Sequence, residues 1–495
     1  MDERRSWNVI PEELEGHARL NALNRREFLR RSAYTAGLGV SLAASLSPAQ
    51  VLAQAIRAQA SVVPLGDKMP IDHFVILMME NRSFDHYFGW LNPEIANAQQ
   101  HETYIDGATG KPVDTQYALS FNPTAPYQGC GYSDPGHGWD NGRAQLKGGF
   151  LANGSGNDHF ALTYYDEGDL GFIHPAAKAF TLYDNYHCSL LGPTWPNRYY
   201  KWSAQSGGLI DNTPQVATAG NQWNTIFDTA LAAGATATYY NSDLPFSAVW
   251  GARGATWTQP VDAFYADCAA GTLPNISIVD PPFRDGGGFN GESADEHPLG
   301  DVRLGQAFMA DVAHAFLSSP NYKRGAMFII YDEWGGFFDH VTPPRAADDR
   351  ASTDLEKDFG QMGFRVPAVA LSPYTLGGGV SHLGTLGHES ILKLVEQRFN
   401  LAPLCLRDKM ATSIGESFDW SKDPNAEVPD LPTPTIVASN PCANGGGDLP
   451  VTDDGSHASD MADLEELAHR FKVPVCEGKP HQIFRAPDSI KKALA

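Results

Sequence analysis

The feature that most constrains this fold is an apolar run that ends abruptly in polar residues. Residues 73–79 read HFVILMM, and Glu80 and Asn81 follow directly. A short, uninterrupted apolar run of this kind is typical of a strand buried on both faces of a parallel sheet. Carboxyl and amide groups at the end of a buried strand are costly unless they bind a partner. We therefore expect Glu80 and Asn81 to form part of a site.

A second apolar run has the same design. Residues 326–333 read AMFIIYDE, so that Asp332 and Glu333 stand at its carboxyl end. In open parallel sheets, ligands bind outside the carboxyl ends of the strands. If the two strands are neighbours, three carboxylates and an amide meet there, and a cation between them would relieve the repulsion of the carboxylates. The pattern predicts one divalent metal ion, with Ca, Mg, Mn, Zn and Fe as candidates; capping of the following helices is the alternative.

Further periodic segments predict the fold class. Residues 276–280 and 366–374 are short strand candidates, whereas residues 301–319 and 388–399 show the spacing of amphipathic helices. Strands that alternate with such helices indicate an α/β fold, with a mostly parallel central sheet and helices on both faces.

The amino-terminal segment resembles an export signal. Arg25 and Arg26 stand before a mildly apolar stretch rich in Ala, Gly and Leu, and small residues follow. This order predicts a twin-arginine signal over residues 1–60, with cleavage after Ala55 or Ala60. We expect export by the twin-arginine (Tat) translocase to the periplasm, the cell wall or the medium.

The remaining chain is expected to hold one catalytic domain over residues 61–440. Residues 441–495 then read as a linker and a helical tail, with a helix near residues 459–471. No other long apolar stretch predicts a transmembrane helix. With six cysteines in an oxidising destination, some pairing is expected, although the sequence does not indicate which cysteines pair.

The charge balance argues against strongly anionic partners. The 36 Lys and Arg residues face 58 Asp and Glu residues, which gives a formal net charge of −22. An acidic surface of this kind argues against nucleic acid as a partner and against attraction to an anionic membrane. Neutral or zwitterionic substrates remain open.

A hydroxyl and two histidines complete the predicted chemistry. Thr194 follows a Gly-Pro pair at a turn that should open a helix, where backbone N–H groups favour an anion. Bound to the metal, its hydroxyl could ionise near neutral pH and attack phosphorus; plain helix capping is the alternative. His137 and His297 lie in loops rich in Gly, Pro and Asp. They could hold phosphoryl oxygens or protonate the leaving group.

Together these residues resemble a known family. The segments that support the resemblance are MMENRSFDHYFG, GPTWPNR, EHP, YDEWGGFFDHVTPP and GHESILKLVEQRF. In this order, over roughly residues 70–400, they are similar to the bacterial phosphoesterase family that groups secreted phospholipases C with acid phosphatases, of alkaline-phosphatase-like fold.

The resemblance implies roles for individual residues. It implies a single metal ion bound through Glu80, Asn81, Asp332 and Glu333, with Thr194 as the nucleophile and a further ligand. It also implies that His137 and His297 surround the substrate phosphate. His340 and His388 lie in family motifs as candidate substrate-binding residues.

The candidate nucleophile bears on the choice between the two branches of the family. The family's acid phosphatases resemble a serine version, so Thr194 favours a phospholipase C that cleaves phosphatidylcholine-type diesters through a phosphothreonine intermediate. A broad-specificity acid phosphatase is the alternative. Trp139 and Trp195 stand close in sequence to the candidate phosphate-binding residues. Since aromatic faces attract quaternary ammonium groups, they are candidates for a choline pocket; ordinary packing is the alternative.

Overall fold

The computed structural model describes most of the chain from residue 63 onward. The described residues are 63–213, 220–282, 284, 293–350, 354, 356–435, 437, 442 and 456–476. The predicted twin-arginine signal lies outside them and stays a prediction.

Strands and helices alternate along the described chain. The strands are β1 His73–Met79, β2 Thr103–Ile105, β3 Pro112–Asp114, β4 Gln116–Tyr117, β5 Thr163–Tyr164, β6 Thr181–Tyr183, β7 Ala237–Asn241, β8 Thr258–Pro260, β9 Ile276–Asp280, β10 Gly325–Tyr331, β11 Ala368–Leu371 and β12 Gly379–Ser381. The α-helices are α1 Phe84–Phe88, α2 Ala118–Phe121, α3 Trp139–Gly148, α4 Ile173–Ala179, α5 Thr194–Ser203, α6 Ile226–Ala232, α7 Ala252–Trp257, α8 Val261–Ala270, α9 Val302–Leu317, α10 His388–Phe399, α11 Leu406–Met410 and α12 Ser456–Phe471. Short 3-10 helices cover Gly66–Lys68, Gly89–Leu91, His159–Leu162, Phe246–Trp250, Pro320–Arg324 and Ile414–Ser417.

One large sheet organises the molecule. Within the described residues its eight strands have the order β12-β6-β11-β10-β1-β9-β7-β8. The strands from β10 to β8 run parallel, and β11 is antiparallel to both of its neighbours. The predicted α/β fold with a mostly parallel central sheet is therefore confirmed.

The two strands with polar ends are immediate neighbours. β1 pairs with β10 in parallel, and the register places Met79 opposite Tyr331, the last residues of the two strands. β9 flanks β1 on the other side, also in parallel. β1 is thus sandwiched between two parallel strands and is buried from its second residue onward, which agrees with its unbroken apolar sequence.

Two long helices follow the predicted periodicity. α9 buries Leu304, Phe308, Val312 and Phe316, which recur every fourth residue. α10 packs against α5, the helix that begins at Thr194. These helices bring side chains to the carboxyl edge of the sheet.

The carboxyl-terminal segment is attached to the rest of the described chain in two ways. A disulfide joins Cys130 to Cys442, which confirms that some of the cysteines pair. α12 buries Leu464 and Leu467. In the segment that follows this helix, the backbone N–H of Cys476 donates to the carbonyl of Asp243 at 3.0 Å. Among the described residues, the structure has no helix that is long and apolar enough to cross a membrane.

Candidate active site

The site begins where β1 and β10 end. Glu80 and Asn81 follow β1, Asp332 and Glu333 follow β10, and all four side chains are buried. The backbone N–H of Asn81 donates to Asp332 Oδ1 at 3.1 Å, and that of Arg82 donates to the carbonyl of Glu333 at 3.2 Å. The convergence of the two strand ends, predicted from sequence, is confirmed.

In three of these side chains, one polar atom has a partner within the protein and one oxygen has no hydrogen-bond partner among the described residues. Asp332 Oδ1 accepts the N–H groups of Asn81 and Glu333, and Glu333 Oε2 accepts the N–H of Gly335 at 2.7 Å. Asn81 Nδ2 lies 3.4 Å from His137 Nε2. The other oxygens, namely Asn81 Oδ1, Asp332 Oδ2 and Glu333 Oε1, are buried and have no hydrogen-bond partner among the described residues. Buried polar atoms rarely stay unpaired, so this set of oxygens fits a hard divalent cation.

The electrostatics of the carboxylates agree with a cation site. Burial, and then the neighbouring Glu80 carboxylate, raise the pKa of Asp332 to about 8. Burial and the Asp332 carboxylate raise the pKa of Glu333 well above its usual value. A positive ion among these groups would favour their charged forms.

A glycine pair allows the segments of the site to approach closely. Gly335 has φ +61°, and a Cβ on it would lie 2.1 Å from the Asn81 carbonyl oxygen. Gly336 has φ +72°, and a Cβ there would lie 2.8 Å from the carbonyl oxygen of Gly136. Only glycine tolerates both this conformation and these contacts. The pair therefore lets the segment after β10 pass between Asn81 and the loop that holds His137.

Thr194 is the first residue of α5, as the sequence predicted, and it is buried. Arg198 and Lys201 follow four and seven residues later, on the same face of the helix. Arg198 Nη2 donates to Glu80 Oε1 at 2.8 Å, and its Nε lies 3.7 Å from Asp332 Oδ2. Thr194 thus begins the helix face that points to the carboxylates.

Asp280 adds a third strand end to the site. It is the last residue of β9, and it lies 3.1 Å from Arg198 Nη1 and 3.0 Å from Lys201 Nζ. Burial lowers the pKa of Lys201 to about 8, although the Asp280 carboxylate acts in the opposite direction. Burial also disfavours charged Arg198, but the carboxylates of Asp280 and Glu80 outweigh it and raise its pKa.

Sequence reasoning missed Arg198, Lys201 and Asp280. A signal existed for two of them. Asp280 ends an apolar strand in the same way as the other acidic residues of the site, and Arg198 stands one helical turn after Thr194.

The two predicted loop histidines lie together, and an aspartate joins them. Ligand atoms of Asp134, His137 and His297 lie within 4.8 Å of one another, close enough to hold a cation. His137 donates from Nδ1 to the carbonyl of Pro135 at 2.7 Å, so that in the neutral ring Nε2 carries the lone pair. This Nε2 lies 4.0 Å from Glu333 Oε1. His297 Nε2 lies 3.8 Å from Asp134 Oδ2. Sequence reasoning missed Asp134, three residues before His137.

His388 contacts the backbone of Asp332, one of the candidate metal ligands. It donates from Nε2 to the backbone carbonyl of Asp332 at 2.8 Å, and Tyr186 donates its hydroxyl to Nδ1 at 3.2 Å. Burial lowers the pKa of His388 to about 3. Both ring nitrogens are thus used inside the protein, so the side chain orients Asp332.

His340 belongs to an ion cluster of its own. Its Nδ1 lies 2.5 Å from Asp85 Oδ2, and Arg365 binds Asp85 Oδ1 at 3.0 Å and Asp339 Oδ1 at 2.9 Å. Burial would lower the pKa of His340, but the hydrogen bond and charge of Asp85 raise it above its ordinary value. The cluster joins α1 to the segment that follows the glycine pair.

The two tryptophans have different surroundings. Trp195 is 1% exposed and packs edge-on against Phe246, with 5.7 Å between ring centroids. Trp139 begins α3, keeps part of its surface exposed, and stacks under the Arg143 guanidinium at 3.3 Å. A Cβ on Gly192 would lie 3.4 Å from its ring. Trp139 therefore adjoins the turn that precedes Thr194, whereas Trp195 lies in the interior.

Comparison with known proteins gives a consistent result. The model of the phosphoesterase family matches residues 71–402. A non-hemolytic phospholipase C of Burkholderia pseudomallei is 31% identical over 76% of this chain and 61% of its own length. Phospholipase C B of Mycobacterium tuberculosis is 30% identical over 85% of this chain and 90% of its own length. The chain thus spans less than two thirds of the first relative and nearly all of the second.

More distant similarity extends to plants and to solved structures. Non-specific phospholipase C1 of Arabidopsis thaliana is 28% identical over 77% of each chain. A solved structure of an alkaline phosphatase superfamily protein from Vibrio parahaemolyticus aligns with 72% of this chain and 76% of its own, at 9% identity and a TM-score of 0.32.

Proposed function

Since the chain belongs to the phosphoesterase family, we propose that it hydrolyses phosphoric ester bonds as an exported, metal-dependent phospholipase C acting on phosphatidylcholine-type diesters. The single observation that favours a phospholipase C is that relatives named phospholipase C match most of the chain, one of them over 90% of its own length. The threonine at the start of α5 agrees with this branch of the family.

A divalent cation is part of the proposal. Glu80, Asn81, Asp332 and Glu333 would hold it, with Thr194 as a further ligand. The oxygens of three of these side chains that have no hydrogen-bond partner among the described residues support this assignment. When bound, the cation supplies positive charge beside the phosphoryl oxygens and the threonine hydroxyl.

The chain's own residues would perform a double displacement at phosphorus. Thr194 Oγ1, which has lost its hydroxyl proton to solvent before the attack and is released again as the alkoxide, would form a bond to phosphorus while the bond to the diacylglycerol oxygen breaks. His297, placed beside Asp134, gives its proton to that leaving oxygen. Water then cleaves the phosphothreonine, phosphocholine leaves, and the proton returns to the histidine. The N-terminus of α5 would offset the charge on the phosphoryl oxygens.

Export agrees with the disulfide. Disulfides form and persist in oxidising compartments, and the bond between Cys130 and Cys442 would be out of place in a reducing cytoplasm. The proposed destination is the periplasm, the cell wall or the medium.

The decisive experiment compares two substrates with the purified protein. We expect kcat/KM for p-nitrophenyl phosphorylcholine to exceed that for p-nitrophenyl phosphate at least about tenfold, which corresponds to about 1.4 kcal/mol of transition-state discrimination. Metal analysis of the same sample should give one divalent ion per chain. A preference for the monoester would instead identify an acid phosphatase, the alternative function.

Variants of Thr194 separate the catalytic step from binding. Thr194→Ala should abolish turnover, while Thr194→Ser, which keeps a hydroxyl, should retain part of it.

Trp139→Ala tests the choline pocket, because only the diester has a quaternary ammonium group for the ring to attract. The buried Trp195 is the matched control for packing.

A further inference from the structure

The residue before His297 has an unusual backbone conformation. Glu296 has φ +73°, in the left-handed region that favours glycine. Such conformations persist only where the surroundings impose them, and they cluster at functional sites. Gly305 in α9 provides the space, because a Cβ on it would lie 2.1 Å from Glu296 Cγ. The strain at Glu296 therefore requires a structural explanation.

The side chain of Glu296 accepts hydrogen bonds from three separate elements. Tyr87 in α1 and Tyr331, the last residue of β10, donate to Oε2 at 2.8 and 2.5 Å. Gln306 in α9 donates to Oε1 at 2.7 Å. Because Tyr331 directly precedes Asp332, this carboxylate is anchored to the strand that ends in the proposed metal ligands.

The backbone around Glu296 is joined to the other strand end. The carbonyl of Asp295 accepts the N–H of Glu80 at 2.9 Å. The carbonyl of Glu296 accepts Nε of Arg82 at 2.8 Å. The segment before His297 is thus hydrogen-bonded to the residues after β1, while its carboxylate is hydrogen-bonded to the end of β10.

We propose that Glu296 is a positioning residue that fixes His297 relative to Glu80 and Asp332. Its carboxylate is turned into the core, against the two tyrosines and the glutamine, so it acts through its neighbours rather than on the substrate. This inference rests on the proposed function, in which His297 protonates the leaving oxygen. It extends that function by one residue that makes no contact with the reacting atoms.

Glu296→Gln is the first test. A glutamine has a single acceptor oxygen, so at least one of the three donors loses its acceptor. If His297 moves by about 1 Å, kcat should fall about 100-fold, whereas KM for the choline diester should rise much less, because the choline and lipid parts of that substrate bind outside the phosphate site. A variant that keeps the wild-type kcat would overturn the inference.

The chain offers a compensating variant. Gln306 Oε1 already accepts the N–H groups of Phe172 and Ile173, at 3.0 and 2.9 Å, which prevents this amide from flipping. In the double variant Glu296→Gln with Gln306→Glu, the new glutamine donates to the new carboxylate and still accepts from both tyrosines. Every hydrogen bond and the net charge are retained. We expect kcat to return to within about threefold of wild type, and a double variant as slow as the single one would overturn the proposal.

Tyr240→Phe controls for a general loss of stability. Tyr240 donates to the Asp267 carboxylate at 2.7 Å between β7 and α8, away from the site. Its variant should lower the melting temperature and leave kcat unchanged at temperatures where both proteins are folded. If kcat follows the melting temperature in both single variants, the role of Glu296 is merely structural and the inference fails.

A binding measurement separates this inference from the proposed function. Calorimetry with inorganic phosphate reports on the site whether or not the diester is the substrate. We expect weaker phosphate binding in Glu296→Gln and recovery in the double variant. If the wild type cleaves no choline diester, the proposed function fails, yet the phosphate measurement still decides whether Glu296 positions the site. Unchanged phosphate affinity in Glu296→Gln would count against it.

Discussion

At the scale of single residues, metal binding and proton binding compete for the same oxygens. Asp332 has one oxygen held by two backbone N–H groups and one buried oxygen left for a ligand. Its pKa of about 8 means that the metal-free protein keeps this carboxyl largely protonated at neutral pH. A protonated carboxyl must lose its proton before it binds a cation.

Metal affinity should therefore depend on pH. Below pH 8, each unit of acidification should weaken Mn²⁺ binding by at least about tenfold, because Asp332 must lose a proton and Glu333, whose pKa is also raised, must lose one too. Calorimetric titration of the metal-free protein with Mn²⁺ between pH 6 and pH 9 measures this dependence. Asp332→Asn should bind more weakly and lose that part of the pH dependence. An equal dissociation constant at pH 6 and pH 8 would contradict the assignment.

At the scale of elements, the segment after β10 depends on its glycines. Gly335→Ala would place a Cβ 2.1 Å from the Asn81 carbonyl oxygen, in a backbone conformation with φ +61°. We expect the free energy of unfolding to fall by more than about 1 kcal/mol and the bound metal to decrease, since Asn81 must move. Chemical denaturation and metal analysis measure the two effects.

Gly377→Ala is the matched control for that variant. Gly377 has almost the same φ, +62°, but a Cβ on it would meet nothing within 4 Å. It should show the cost of the backbone strain alone and keep a full complement of metal. Equal metal loss in both variants would mean that the close approach to Asn81 does not matter.

The elements also show how far sequence reasoning reaches. Asp332 and Glu333 could be assigned to the site because a strand end is a local pattern, and parallel neighbours bring such ends to one edge. Asp134 could not be assigned in this way, because its place depends on a long loop that the glycine pair positions. His388 was expected near the substrate, but its contacts with Asp332 and Tyr186 depend on the packing of α10, which no local pattern encodes.

At the scale of the whole molecule, the disulfide links two distant parts of the chain. Cys130 and Cys442 are 312 residues apart in sequence. Replacing both by serine should lower the free energy of unfolding by about 2–5 kcal/mol, since the unfolded chain regains freedom. Denaturation with and without a reducing agent measures this. Reduction should destabilise the wild type and leave the double-serine variant unaffected; equal stability of the oxidised wild type and the variant would contradict the expectation.

Export is a property of the whole precursor and concerns residues outside those that the structure describes. Arg25→Lys combined with Arg26→Lys should leave the protein in the cytoplasm, because the twin-arginine translocase reads this pair. Immunoblots of cytoplasmic and exported fractions, with a known Tat substrate as reference, measure the outcome. Normal export of the double variant would refute the predicted signal.

The bond between Cys130 and Cys442 closes most of the chain into a covalent circle that contains every strand from β5 to β12. One cut by a peptidase within that circle opens it without releasing a fragment. On a denaturing gel the nicked protein would keep its full mass until the disulfide is reduced, and only then separate into two pieces. An enzyme proposed to work outside the cell meets the peptidases of other organisms. For this chain, one cut within the circle leaves both pieces joined, and a fragment is lost only after a second cut.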